Sequence, residues 1–351
     1  MRAPTLLLAL LAALVRPVVV EACATAPPHG EEVRIAEEEA IIIWDAATKT
    51  EHFIRRAGFA SSAAKFGFLV PTPTIPELGE VDTDVFSNLA HQIRPETRTE
   101  YVGTSYELGC GCPLLFDAKD ASHGAPEVRV LGIASVAGYD ASILQADNSK
   151  ALAQWLGEHG FEATPELEAW LEPYVRNKWT ITAFEVATTS ERADGARTAG
   201  SAAVLMSFVT TRPFYPYREP AGQQRPASGK LRDLVPGSRL LRVFFLGDER
   251  VDARLGAEPW SAEVIWSAPV PSNHVDLTKM LGDRRHLTVF HDETYPRRGI
   301  DEVWFDRAAD QAEIRPEPIV TTRKREVPIP LEPIILAAMI TGIVLWRRRR
   351  R

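Results

Sequence analysis

The chain has 351 residues, 45% hydrophobic and 8% aromatic with eight tryptophans, which is enough to bury a sizeable core in one large or two ordinary domains. Its net charge is −7, and five arginines sit in the C-terminal tail, so the remainder carries about −12. That balance argues against a nucleic-acid partner, which needs a basic face, and no glycine-rich phosphate loop is present to hold a nucleotide.

Residues 1–22 read as a signal peptide. Arg2 is the positive lead, Leu6 to Val15 the apolar stretch, and Arg16-Pro17 the helix break. Val20-Glu21-Ala22 is a small-residue cleavage site ahead of Cys23, and Ala22-Cys23-Ala24 offers a second. Ten apolar residues are too few to span a bilayer, which takes about 20. Val-Glu-Ala-Cys also outlines a lipobox, with Glu21 where a small residue is usual, so lipidation of Cys23 stays open as the lesser alternative.

Residues 23–140 read as a β-rich N-terminal domain. Ala40-Ile41-Ile42-Ile43-Trp44 is a buried-type strand, and Glu51 to Arg56 returns from a turn to make a hairpin. Lys65 to Val70 is another strand, ended by Pro71, Pro73 and Pro76, and a short helix is expected over Asp82 to Ala90. Residues 141–178 change period. Asp147-Asn148-Ser149 supplies a cap, Leu152, Trp155 and Leu156 an apolar face, and Gly160 a stop. Thr164-Pro165 then opens a second helix with Leu167, Trp170 and Leu171 on its stripe, so a helical hairpin is expected.

Residues 179–309 return to seven short strands, among them Arg239 to Leu246 and Arg250 to Leu255, joined by a hairpin turn at Gly247-Asp248-Glu249. Residues 310–332 are rich in proline and charge and read as a stalk. Residues 333–346 read as a transmembrane helix, with Arg347, Arg348, Arg349, Arg350 and Arg351 as the cytoplasmic stop signal. The weaker alternative is a sorting tail of the kind cut by exosortase-type systems. The expected fold class is therefore α+β: a β-rich N-terminal part, a central helical hairpin, an antiparallel sandwich-like C-terminal part and one C-terminal transmembrane helix.

The blocks WDAATKTEHFIRRAGF, KFGFLVPTPTIPELGEV, VAGYDASILQADNSKALAQWLGEHGF, LEPYVRNKW and RPFYPYR are similar to the bacterial family called domain of unknown function 2330. The resemblance runs from about Cys23 to Asp306. It implies a shared fold and an envelope address, and it transfers no catalytic residue.

Three cysteines are the candidate disulfide set. Cys23 can pair with Cys110 or Cys112 as a structural bridge, or Cys110-Gly111-Cys112 can close on itself as a strained, redox-active ring. The glycines around the pair favour a structural loop. No metal site is expected. Cys110, Cys112 and His123 have the wrong spacing for zinc, and His286 and His291 fall on opposite faces of a strand. No GxSxG or SxxK marks a nucleophile, and Asp82 with Asp84, or Asp301 with Glu302, read as solvated turns. Phe214, Tyr215 and Tyr217 of the RPFYPYR block are the weak binding candidates, with packing against a sheet as the plainer account. The whole reads as a membrane-anchored extracytoplasmic protein without a cofactor, contacting the lipid bilayer and an envelope protein or glycan. Its role is expected to be binding or structural rather than enzymatic. The rival reading is an exported enzyme, a thiol redox protein or a hydrolase without a linear motif.

Overall fold

Ala40, Ile41, Ile42 and Ile43 are consecutive, and all four are buried. A strand buries successive residues only when both of its faces are covered. The computed structural model describes residues 24–107, 134–200, 202–224, 226–235, 239–270, 277, 280, 286–294, 297, 301–328, 340 and 342–350. The chain divides into two units, residues 1–94 with 130–316, and residues 95–129 with 317–351.

The first unit opens with β1 (Ala24–Ala26) and the long hairpin of β2 (Val33–Asp45) and β3 (Thr50–Ser61). β4 (Lys65–Thr72), β5 (Glu77–Glu80) and helix α1 (Asp84–Gln92) follow, while β6 (Thr97–Glu107) belongs to the second unit. β7 (Ala134–Val136) and β8 (Tyr139–Leu144) lead into helices α2 (Ser149–Glu158) and α3 (Pro165–Arg176). Next come β9 (Thr180–Ala187), β10 (Ser190–Glu191), β11 (Arg197–Gly200), β12 (Val204–Val209) and β13 (Phe214–Tyr215). The last strands of this unit are β14 (Leu241–Gly247), β15 (Val251–Leu255), β16 (Glu258–Pro259), β17 (Glu263–Pro269), β18 (His286–Asp292) and β19 (Val303–Arg307). β20 (Ile319–Pro328) returns to the second unit.

Nine strands form the main sheet, in the order β10-β11-β3-β2-β14-β18-β17, with β12 also on β3 and β5 on β12. The β2–β14 pair is parallel and its neighbours are antiparallel. One face of this sheet packs on a five-stranded sheet, β1-β4-β9-β8-β7, and on a four-stranded one, β13-β19-β15-β16. Phe53, Phe66, Phe214, Phe245 and Phe305 fill that interior. The opposite face, carrying Ile41, Ile43, Ile54 and Phe244, is covered by Val85, Phe86 and Leu89 of α1. Leu69, Ile181 and Ala183 on the outer face of the five-stranded sheet meet Leu156, Trp170 and Leu171 of α2 and α3.

Local chemistry accounts for the helical hairpin. The Asn148 side chain accepts the Ala151 N–H at 2.8 Å, and Thr164 Oγ1 accepts that of Leu167 at 3.1 Å, with Pro165 at the first helical position. Gly160 at φ +84° supplies the left-handed residue after α2, and the Phe161 N–H closes onto the Leu156 carbonyl at 3.0 Å. Gly67 allows a close approach: a Cβ there would lie 3.2 Å from that of Ala26 on β1, which would have to give by a few tenths of an ångström.

Four expectations change. Among the described residues no helix is long and apolar enough to cross a membrane, so the transmembrane helix at 333–346 is not supported; residues 333–339 and 341 of that stretch lie outside the described residues. Helical residues there run 342–349, and the last three are arginines. The reason is length, since fourteen residues rise about 21 Å against about 30 Å of hydrocarbon. The stretch read as a stalk holds β20, which pairs in parallel with β6. Its Ile319-Val320-Thr321-Thr322 run has the β-branched character of a strand, which flanking prolines and charges conceal. Gly247-Asp248-Glu249 makes no hairpin, because β14 belongs to the main sheet and β15 to the four-stranded one. Strands from the N- and C-terminal parts share one sheet rather than forming two β regions.

Phe86 is fully buried, stacks edge-on to Phe244 at 6.4 Å and lies under the Arg56 guanidinium at 4.6 Å. Urea unfolding of Phe86→Ala is expected to show a loss of about 3–5 kcal/mol. A loss below about 1 kcal/mol would mean that α1 does not seal this face.

Candidate functional site

The RPFYPYR block enters the interior in extended form, and its two tyrosines, two residues apart, reach the main sheet from the same side. Tyr215 OH donates to Glu38 on β2, and Tyr217 OH donates to Asp292 on β18 at 2.6 Å. The registers align Glu38 with Leu241 and Leu241 with Asp292, so the two carboxylates lie in one row across three strands. Around them stand three buried arginines. Arg55 Nε donates to Glu38 at 2.6 Å, Arg239 Nη2 donates to Glu38 at 3.2 Å, and Arg239 Nη1 pairs with Glu219. Arg297 lies 3.6 Å from Glu38, 3.7 Å from Glu219 and 3.7 Å from Asp292. Three carboxylates and three guanidiniums thus form a neutral group, each residue no more than 5% exposed.

Burial alone would raise the Glu38 carboxyl, but Arg55, Arg239, Arg297 and the Tyr215 hydroxyl outweigh it and hold the group at about 2. Glu51 has no such company. Burial pushes its carboxyl well above the ordinary value, against a single hydrogen bond from the Phe214 N–H at 2.9 Å. Its Oε1 has no hydrogen-bond partner among the described residues, so little offsets the burial that favours the neutral acid. Glu302 accepts from Tyr174 OH at 2.7 Å and the Tyr217 N–H at 2.8 Å, with Arg218 Nε at 3.2 Å. Burial raises it to about 7 in spite of Arg218 and these donors.

The interior network is closed to solvent, whereas the accessible chemistry lies at the β3–β12–β5 edge of the main sheet. A cleft of about 810 Å³ opens there, walled by Thr50, His52, Thr74, Glu77, Lys178 and Ser207 among others. His52 Nδ1 stands 2.8 Å from Ser207 Oγ. Thr74 Oγ1 ties down the end of β12 by exchanging hydrogen bonds with the Val209 backbone, at 2.9 Å to its carbonyl and 3.0 Å from its N–H. Ile75 and Val209 add exposed apolar surface. The walls mix hydroxyl, imidazole, amide, ammonium and carboxylate groups with a few aliphatic ones, within the size range of small-molecule sites.

Cys23, Cys110, Cys112 and His123, and Arg351 of the stop signal, lie outside the described residues, as does the signal-peptide stretch 1–22. Arg347 to Arg350 are exposed, and the Arg350 guanidinium lies 4.1 Å from the Trp346 ring centroid. Phe214, Tyr215 and Tyr217 are packed inside, so a shallow ligand contact has no surface to use there, and they are corrected to core residues. The period-two spacing of Tyr215 and Tyr217 puts both on one face of an extended segment, and Phe214 is buried on the other, against Trp179, Phe208 and Trp304. Asp82 and Asp84 are exposed as expected, while Glu302 is buried, which corrects the solvated-turn reading of Asp301-Glu302. His286 meets Ser267 Oγ at 2.9 Å, burial lowers its pKa, and His291 pairs instead with Glu293 at 3.4 Å. Among the described residues no group of three or more His, Cys, Asp or Glu side chains could hold a metal.

Fold and site together define a two-layered β sandwich with helices on both outer faces, an ion-paired interior and an open polar cleft at a sheet edge. Residues 17–243, more than half of the chain, match the family described as an uncharacterized protein conserved in bacteria (DUF2330), and the chain belongs to that family. No curated protein matches it significantly.

Two isosteric substitutions separate the buried acids. The folded protein holds Glu38 at about 2 and the ordinary value is 4.5, so its contribution is complete above pH 4.5 and lost as the pH falls toward 2. Chemical denaturation across that window should show a decline of about 3 kcal/mol in the wild type that Glu38→Gln lacks. At pH 7 Glu38→Gln should cost about 3–5 kcal/mol, because three arginines lose their central anion. Glu51→Gln should be at least as stable as the wild type, since burial disfavours the Glu51 carboxylate and the amide carries no charge to desolvate. The opposite ranking of the two variants would refute the charge assignment.

Proposed function

We propose that this protein is an exported bacterial envelope protein that binds a polar ligand in the cleft at the β3–β12–β5 edge. The cleft carries the reading: about 810 Å³ of open space stands beside a closed and tightly ion-paired interior. Its Lys178 and Glu77 place opposite charges on walls otherwise rich in hydroxyl and amide groups. Such walls suit a ligand with both sugar-like hydroxyls and peptide-like charges, which soluble peptidoglycan fragments combine. Export is supported by the charged, apolar and small-residue succession over residues 1–22.

Gln145 is exposed and lines the cleft. Gln145→Trp should narrow the cleft without disturbing the fold. Titration with peptidoglycan fragments, followed by NMR, should shift the signals of His52, Gln145 and Lys178 in the wild type. The variant should bind at least about tenfold more weakly, equivalent to about 1.4 kcal/mol. Shifts confined to other surfaces, or equal affinity in the variant, would sink the assignment.

A further inference from the structure

Ser207 occupies the middle of a three-strand row. Its register partners are His52 on β3 and Glu77 on β5. Partners in an antiparallel ladder project to the same face, so imidazole, hydroxyl and carboxylate stand side by side on the cleft wall. The imidazole Nδ1 lies 2.8 Å from the hydroxyl oxygen, within reach for proton transfer. A second serine–histidine pair in the same sheet serves as a control. Ser267 is fully buried, and its hydroxyl meets both His286 Nε2 at 2.9 Å and Thr288 Oγ1 at 3.1 Å. That serine is enclosed, so no substrate reaches its hydroxyl. Ser207 and His52 are half-buried and line a cleft large enough for a ligand.

The geometry points to Ser207 as the nucleophile, and His52 as its general base, of an acyl-transfer site acting on an ester bound in the cleft. This rests on the reading of the cleft as the ligand site and adds chemistry to it. With the imidazole proton on Nε2, Nδ1 accepts the Ser207 proton while Oγ bonds to the substrate carbonyl carbon. The tetrahedral intermediate collapses by breaking the bond to the alkoxy group, which takes the proton from His52 and leaves as an alcohol. Water then gives a proton to His52 and attacks the acyl carbon. The carboxylic acid departs as the ester bond to Oγ breaks and Ser207 recovers its proton from His52. Lys178 and Gln145, on the same walls, are the N–H donors at hand for the developing oxyanion.

A fluorophosphonate probe tests the assignment on the full chain, because a nucleophilic serine displaces fluoride and keeps the phosphonyl group. Intact-mass and peptide analysis should find one adduct, on Ser207. Ser207→Ala should abolish it, and His52→Gln should slow it at least about 100-fold while retaining the wild-type melting temperature. Ser267→Ala should leave the labelling rate unchanged. No adduct, or an adduct that survives Ser207→Ala, would overturn the proposal. Peptidoglycan-fragment binding and probe labelling, both measured on the wild type, keep the two readings apart. Binding without labelling removes the nucleophile and leaves the binding site, whereas labelling without binding keeps the nucleophile and removes that ligand class.

Discussion

The position of Glu38 is the constraint on which the first unit depends. A lone carboxylate between two sheets would be expensive to desolvate, so its surroundings must arrive complete. Arg55 comes from the neighbouring strand, Arg239 and Arg297 from loops of the C-terminal half, and the Tyr215 hydroxyl from the opposing sheet. Satisfying this one group therefore sets the order of the main sheet, the approach of the four-stranded sheet and the path of the RPFYPYR block. It also sets register, since a one-residue slip of β2 would turn Glu38 outward and Glu39 inward. Glu39 already has surface-side partners in Arg56 and Arg242, so the slip would strand both sets.

Much of this was legible where local chemistry decides. Asn148, Thr164-Pro165 and Gly160 bound the helical hairpin because caps and a left-handed stop act within a few residues. The uninterrupted Ala40–Ile43 run announces a strand covered on both faces. Long-range pairing left weaker traces. Glu38 sits in the run Glu37-Glu38-Glu39, which looks like a solvated lead-in, and only its period-two alignment with Ala40 and Ile42 shows that it faces inward. β14 resembles one half of a hairpin because Gly247-Asp248-Glu249 is good turn chemistry, yet the strands on either side of it enter different sheets. The His52–Ser207 juxtaposition could not be read at all, because the pair is 155 residues apart and belongs to no linear motif.

The same edge that carries the cleft is guarded against unwanted strand pairing. β5 has four residues, Pro73 and Pro76 precede it, and Glu77 and Glu80 bracket it. Short length, proline and charge are the means by which sheet edges avoid adding foreign strands. Thr74, which occupies the Val209 backbone groups, completes the protection where β5 no longer reaches. What the edge leaves open at the cleft is therefore side chains rather than backbone.

The parallel pairing of β2 with β14 bears on how the chain acquires its structure. Glu38 and its partner Arg239 are 201 residues apart, so the β2–β3 segment is synthesised long before β14, its neighbour in the sheet. Closing so large a loop is slow, and folds rich in such contacts form late. A chain threaded out of the cell from its N-terminus would therefore emerge with Ile41, Ile43 and Ile54 on one side of a hairpin whose open edge is still unpaired. If the chain is exported as proposed, that interval calls for either rapid delivery of its own C-terminal half or a holding chaperone on the far side of the membrane.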